Sequence, residues 1–380
     1  MLRLLKRSKS VRDQSTREFD KLPTHKSKYL INKILDKDDD ITDDITDDIS
    51  DQSIDTIIFT HPSKKIGSGS YGIIYQPAID YKHGFVTKVM SAKEGEWEFE
   101  NITKFTKLID HKNQISLPTF IINPKQVLNH IQLAVCENAG IGHRSPIIYL
   151  HIKYGGITLK DYLIKHTNGG LDILTYFKPI MENLVSMKKK EFIHRDLSNT
   201  NILIDEKTHQ MTIIDFQMAV SINLLFEKKI DEKGNDINHI INTASYRYFP
   251  YDLKIGQKSS NIHTCQERIK LIEQMDYFDD RFDDIKFPDE LSILNDKKQI
   301  QQSIRDSLEY DSFNIEIGQK IDTYSIGLVL FTIVESLHFE HELIKKKLYT
   351  LISHMMDPHV FRRYSPENAL YEYTQILNDI

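Results

Sequence analysis

A chain of 380 residues that is 40% hydrophobic and 27% charged has enough apolar material for a sizeable core, arranged as one large bilobal unit or two to three domains. Its formal net charge of −6 argues against a globally nucleic-acid-binding protein, whose domains carry a clear basic excess, so any basic partner site must be local. Two cysteines, Cys136 and Cys265, are too few for a disulfide framework and lack metal-ligand company, which fits a reducing compartment.

The chain opens on Met1-Leu2-Arg3-Leu4-Leu5-Lys6-Arg7, where charge breaks the apolar run too early for a signal-peptide core. No stretch approaches transmembrane length, so the expectation is a soluble, cytoplasmic protein without a membrane span. The acidic repeat Asp39-Asp40-Ile41-Thr42, Asp43-Asp44-Ile45-Thr46, Asp47-Asp48-Ile49-Ser50 follows. Its carboxylates repel one another, so residues 1–60 read as a disordered tail. A docking tail is the alternative to a solvated spacer.

In Lys65-Ile66-Gly67-Ser68-Gly69-Ser70-Tyr71-Gly72-Ile73-Ile74-Tyr75, three glycines interrupt β-branched residues, as in a hairpin whose turn approaches something closely. Backbone amides freed of side chains there can cover triphosphate oxygens. A dinucleotide site shares the G-x-G-x-x-G spacing but continues into a helix. Here Ile73-Ile74-Tyr75 continues as strand, and Phe85-Val86-Thr87-Lys88-Val89-Met90 follows as another with a lysine among apolar neighbours. Residues 94–109 read as a helix with Glu98, Ile102, Phe105 and Ile109 on one face. A carboxylate on an apolar face needs a partner, and Lys88 is the obvious one. The lone Trp97 reads as packing. Residues 147–156 give a buried strand ending in Gly155-Gly156, with a helix-like run from Leu159.

Apolar residues then flank a charged loop, Phe192-Ile193-His194-Arg195-Asp196-Leu197-Ser198-Asn199-Thr200-Asn201-Ile202-Leu203-Ile204. Asp196 is placed to orient and accept the proton of an attacking hydroxyl, and Asn201 to hold a metal ion through its amide oxygen. Next, Met211-Thr212-Ile213-Ile214-Asp215-Phe216-Gln217 is a β-branched strand ending in a carboxylate suited to Mg²⁺, which prefers hard oxygen ligands.

On these stretches the chain resembles a protein kinase, of the eukaryotic and serine/threonine type, over residues 60–380. The resemblance implies an α+β, bilobal fold: a small β-rich lobe with one helix over 61–153, and a larger helical lobe over 154–380. It implies ATP and Mg²⁺, with Asp196, Lys88, Asn201, Asp215, Arg195 and Glu98 as catalytic residues and Asn201 and Asp215 as metal ligands. Glu98 is the expected partner of Lys88, with Glu100 as fallback. Nucleotide binding falls to Ile66, Gly67, Ser68, Gly69, Gly72, Ile74 and Lys88, and to Lys153, Tyr154 and Gly155 as a hinge offering backbone groups to adenine. Asp322 should brace the catalytic loop from the central buried helix.

The chain also departs from the family pattern. In Thr243-Ala244-Ser245-Tyr246-Arg247-Tyr248-Phe249-Pro250-Tyr251, one residue is extra and the usual glutamate is absent; Asp252 is the candidate replacement. Gln217 stands where glycine is usual. The polar span 254–318 reads as a surface insertion, a possible docking element along with the tail. No Ser, Thr or Tyr lies between Ile222 and Asn242, so Glu227, Asp231, Glu232 or Asp236 is the expected carboxylate partner of Arg195. Ser198 matches neither the lysine of serine/threonine kinases nor the tyrosine-kinase variant, and Thr243 favours a protein substrate with a Ser/Thr acceptor. A nucleotide-binding pseudokinase scaffold is the chief rival, and a small-molecule phosphotransferase a weaker one.

Overall fold

The computed structural model describes residues 64–69, 72–78, 84–92, 95–99, 118–122, 147–167, 169–225, 246–259, 265–273, 282, 285–310, 312–340 and 342–380. All lie within one compact unit, His61–Ile380. The tail, residues 100–109 of the expected helix with Glu100, the span 226–245 with its acidic residues, Thr243 and Ser245, the acidic run 276–280 and Cys136 lie outside the described residues.

The first part of the unit is an antiparallel sheet of β1 (Lys64–Gly69), β2 (Gly72–Gln76), β3 (Phe85–Ser91), β4 (Pro118–Ile122) and β5 (Ile147–Lys153), in the order β1-β2-β3-β5-β4. The β1–β2 hairpin closes on the pair Gly69 and Gly72. β3 lies between β2 and β5, so Val86 through Met90 are all buried. A small cluster of Met90, Phe99, Ile148 and Leu150 packs beneath it.

After β5 the chain becomes helical. β6 (Ile157–Thr158) leads into α1 (Leu159–Lys165), whose first turn is capped by the Thr158 hydroxyl accepting from the Asp161 N–H. α2 (Asp172–Lys189) buries Ile173, Leu174, Phe177, Ile180, Met181, Leu184 and Met187, the stripe that helical spacing puts on one side. β7 (Phe192–Ile193), β8 (Ile202–Ile204), β9 (Met211–Ile213) and β10 (Val220–Ser221) are short; they pair as β6-β8-β9 and β10-β7 and pin down the two ends of the charged loop. α3 (Tyr251–Ser259), α4 (Cys265–Glu273), α5 (Lys297–Ser307), α6 (Phe313–Ser336), α7 (Glu342–Met355) and α8 (Pro366–Asn378) complete the unit. α8 starts where helices prefer to start, with Ser365 as cap and Pro366 in the first turn.

Two sequence expectations need correction. The span 254–318 is not a surface layer: Ile255, Ile272, Phe287, Leu291, Leu294, Ile300, Ile304 and Leu308 belong to the same core cluster as Phe177, Phe192 and Ile326. α5 is polar on average but buries the stripe Ile300, Ser303, Ile304 and Ser307. The second correction concerns length. α6 is long and apolar enough to cross a membrane by composition, yet 89% of that window is buried inside the fold. An all-round apolar helix is what the centre of a large soluble core also requires.

Candidate active site

Lys88 sits mid-strand on β3, paired with Ile74 on one side and Leu150 on the other. Its ammonium lies 2.7 Å from Glu98 and 3.3 Å from Asp215. Burial works against its charge, but the two carboxylates more than offset this and hold its pKa above the ordinary lysine value. Residues 95–99 are helical and Glu98 is buried, so the expected pairing with Glu98 is what the structure contains. Among the residues expected at the nucleotide, Ile66 is 49% exposed on β1. Gly67, Ser68 and Gly69 follow it along that strand, with Gly67 opposite Ile74 and Ser68 opposite Ile73. Gly72 is required by space, since a Cβ there would meet the Val89 carbonyl oxygen at 2.8 Å.

The hinge offers less than expected. The Tyr154 N–H donates to the Gly84 carbonyl at 2.7 Å, extending the β3–β5 pairing by one rung, so this donor is already used. Lys153 is exposed at the end of β5, and Gly155 packs against Leu203 of β8. Gly156 takes φ +106, where a Cβ would strike the Ile204 carbonyl oxygen at 2.0 Å, so its glycine is obligatory.

The charged loop is braced from α6. The two oxygens of the buried Asp322 accept the His194 N–H at 2.7 Å and the Arg195 N–H at 2.9 Å. These bonds hold Arg195 at φ 67, a conformation L residues seldom adopt. His194 is buried, and burial lowers its pKa to about 4. As the neutral ring it donates from Nε2 to the Ile214 carbonyl at 3.0 Å and accepts the Asp196 N–H at Nδ1, 3.2 Å away. The imidazole thereby ties Asp196 to the strand that carries Asp215. Arg195 donates from Nε to the Met218 carbonyl, while its Nη1 is buried with no partner among the described residues. Burial lowers the Arg195 pKa to about 10, with the Asp322 charge opposing that shift.

Asn201 gives its amide N–H groups to the backbone carbonyl and to Oδ2 of Asp196, both at 2.8 Å. That orientation leaves the Asn201 Oδ1 for a cation. Asp215 follows β9 at φ 65, a second strained position in the same site. Phe216 is buried against His194 and Phe192. Gln217 is buried inside the short turn Phe216–Met218 and has no positive φ, so its Cβ costs nothing there. The donor set of Asn201 Oδ1 and the Asp215 carboxylate suits Mg²⁺, which is ordinarily held by few protein oxygens together with substrate phosphates.

Two contacts were not foreseen residue by residue, and a third was. Tyr246, packed edge-on against Phe249, donates its hydroxyl to Oδ1 of Asp196. Burial raises the Asp196 pKa to about 6, and this bond works in the opposite direction. The Trp97 indole N–H, expected only to pack, donates to the Gln217 carbonyl at 3.2 Å. Asp252 does replace the missing glutamate: it meets Arg363 at 2.8 Å with both side chains fully buried.

Residues 60–247 match the protein kinase domain. This region is distantly homologous to both serine/threonine and tyrosine kinases. A putative leucine-rich repeat receptor-like serine/threonine-protein kinase of Arabidopsis thaliana is 25% identical over 179 residues, 44% of this chain and 18% of its own length. The tyrosine-protein kinase transforming protein Abl of Abelson murine leukemia virus is 28% identical over 164 residues, 41% of this chain and 19% of its own. Cyclin-dependent kinase C-3 of Oryza sativa subsp. japonica is 25% identical over 203 residues, 51% of this chain and 55% of its own. The chain thus spans at most about half the length of these relatives.

Proposed function

We propose that the protein is an ATP-dependent kinase transferring the γ-phosphoryl group to Ser or Thr hydroxyls of protein substrates. One observation carries the reading: Lys88, held between Glu98 and Asp215, keeps its charge beside the carboxylate suited to Mg²⁺. A buried lysine paired on both sides is what a cation on the non-transferred phosphates requires. The glycines of β1 and β2 lie on the hairpin that would cover those phosphates. Mg²⁺ held by Asn201 and Asp215 would neutralise and orient phosphate oxygens. The acceptor O–H donates to Asp196, a new oxygen–phosphorus bond forms, the bond to the ADP oxygen breaks, and the proton ends on the Asp196 carboxylate.

The threonine at 243 supports Ser/Thr acceptors. Incubation with labelled ATP and a generic basic protein, followed by phosphoamino-acid analysis, tests the reading. Phosphoserine or phosphothreonine is expected. Phosphotyrosine alone would overturn the acceptor class, and nucleotide binding without transfer would overturn the activity.

The scaffold reading draws on Tyr246. Asn201 holds Oδ2 of Asp196, and Tyr246 takes Oδ1, the oxygen an acceptor hydroxyl would use. Tyr246→Phe keeps the ring packing and frees that oxygen. A rise of ten-fold or more from a negligible baseline would favour the scaffold; unchanged or lower turnover would favour the kinase.

A further inference from the structure

Glu98 and Trp97 are neighbours on the 95–99 helix, yet they reach the segment after β9 by two different routes. Glu98 reaches it through Lys88, whose ammonium also touches Asp215. Trp97 reaches it directly, through the 3.2 Å bond from its indole N–H to the Gln217 carbonyl. The contacts form a closed circuit of Glu98, Lys88, Asp215, Phe216, Gln217 and Trp97. Successive helical side chains point about 100° apart, so rolling the helix to release Glu98 must also break the Trp97 bond. The Gln217 side chain does not replace it: its Oε1 is buried without a partner among the described residues, so the backbone carbonyl is the group that is held. Trp97 is 43% exposed, so its ring is not held in place by burial, and its N–H makes a directed bond.

We infer that Trp97 is a positioning residue, whose indole N–H holds the Asp215-Phe216-Gln217 turn and the Glu98 helix in the arrangement that lets Lys88 bridge Glu98 and Asp215. The inference rests on the proposed kinase function. A hydrogen bond that exists in only one of two arrangements shifts the balance between them by its own strength. Here that amounts to about three- to ten-fold, the range of a net hydrogen bond.

Trp97 is the only tryptophan in the chain. Growing the full-length protein in a tryptophan auxotroph supplied with β-(benzothien-3-yl)alanine therefore replaces one N–H by sulfur at one position and changes nothing else. The expected result is a fall in kcat/KM for a generic peptide of about three- to ten-fold. Affinity for an inhibitor that requires Asp215 turned out of the site should rise by about the same factor. A merely structural role would not tighten any ligand. Trp97→Phe should behave like the sulfur analogue, and Trp97→Gln, which restores an N–H donor, should recover part of the loss. Unchanged inhibitor affinity in the sulfur analogue would overturn the assignment. If wild-type protein transfers no phosphate at all, the kinase reading fails, while the inhibitor measurement still decides whether the tether exists.

Discussion

The two sides of the site are built differently. On the loop side, Asp196 and Asn201 sit between short strands and against α6, with buried Asp322 gripping two consecutive backbone N–H groups and a core of several dozen side chains behind them. On the sheet side, Lys88 has a four-residue cluster beneath it, and it reaches Asp215 through one ion pair, with the Trp97 bond alongside. The group proposed to take the hydroxyl proton is immobilised by packing, whereas the groups proposed to meet nucleotide are joined to it by a few polar links. Polar links can be exchanged at low cost, and packed cores are not continuously deformable.

The largest expected effect breaks the loop side chemically. Asp196→Asn should keep nucleotide affinity and lose turnover by about 10²- to 10⁴-fold, measured as kcat against the dissociation constant of an ATP analogue. Comparable turnover in this variant would remove Asp196 from its role. Breaking the same side structurally, Arg363→Met leaves Asp252 charged and buried without its partner. Loss of about 3–5 kcal/mol of stability is expected in chemical denaturation, with no effect that depends on ATP concentration.

Ile304→Ala tests the span first read as an insertion. If α5 is core, a cost of about 2–5 kcal/mol should appear, whereas a surface helix would lose less than about 0.5 kcal/mol. On the sheet side, Gly72→Ala should raise the KM for ATP several-fold because its Cβ meets backbone at 2.8 Å. Gly67→Ala has only ordinary contacts with Ile74 and should be milder. The smallest effect belongs to Gln217→Gly. The turn needs no positive φ, so the chemical step should change by less than about two-fold while inhibitors needing a turned-out Asp215 bind better, a modest gain of the size of glycine's extra backbone freedom. A large gain in turnover would instead show the natural residue to be an impediment.

Much of the site was legible because its parts are local. The charged loop, the strand ending in Asp215, and a lysine among β-branched residues each carry their meaning within about ten residues. Glu98 was legible as a carboxylate on an apolar face. Trp97 and Tyr246 were not, because the groups they touch lie 120 and 50 residues away, and nothing in a local pattern names a backbone carbonyl or a carboxylate as partner. The span 254–318 misled for another reason: α5 is rich in Lys and Gln, and Ile300 and Ile304 are too few to raise its average, though one turn apart they suffice to anchor it. Tyr154 misled because hinge donors and strand pairing draw on the same N–H, and only the register shows which one takes it.

The grip of Asp322 on the loop also constrains when the protein can work during its own synthesis. Asp322 lies 127 residues after Arg195, and Arg363 lies 111 after Asp252. A ribosome adds residues in order, so Asp196 emerges long before the helix that fixes it, and Asp252 waits for an arginine 111 residues further on. Contacts of such separation close late in folding. Until then Asp196 has no bracket and Asp252 no counter-ion. Asp196 and Asp252 are thus made well before the residues that hold them, and the site is finished only once both distant contacts have closed.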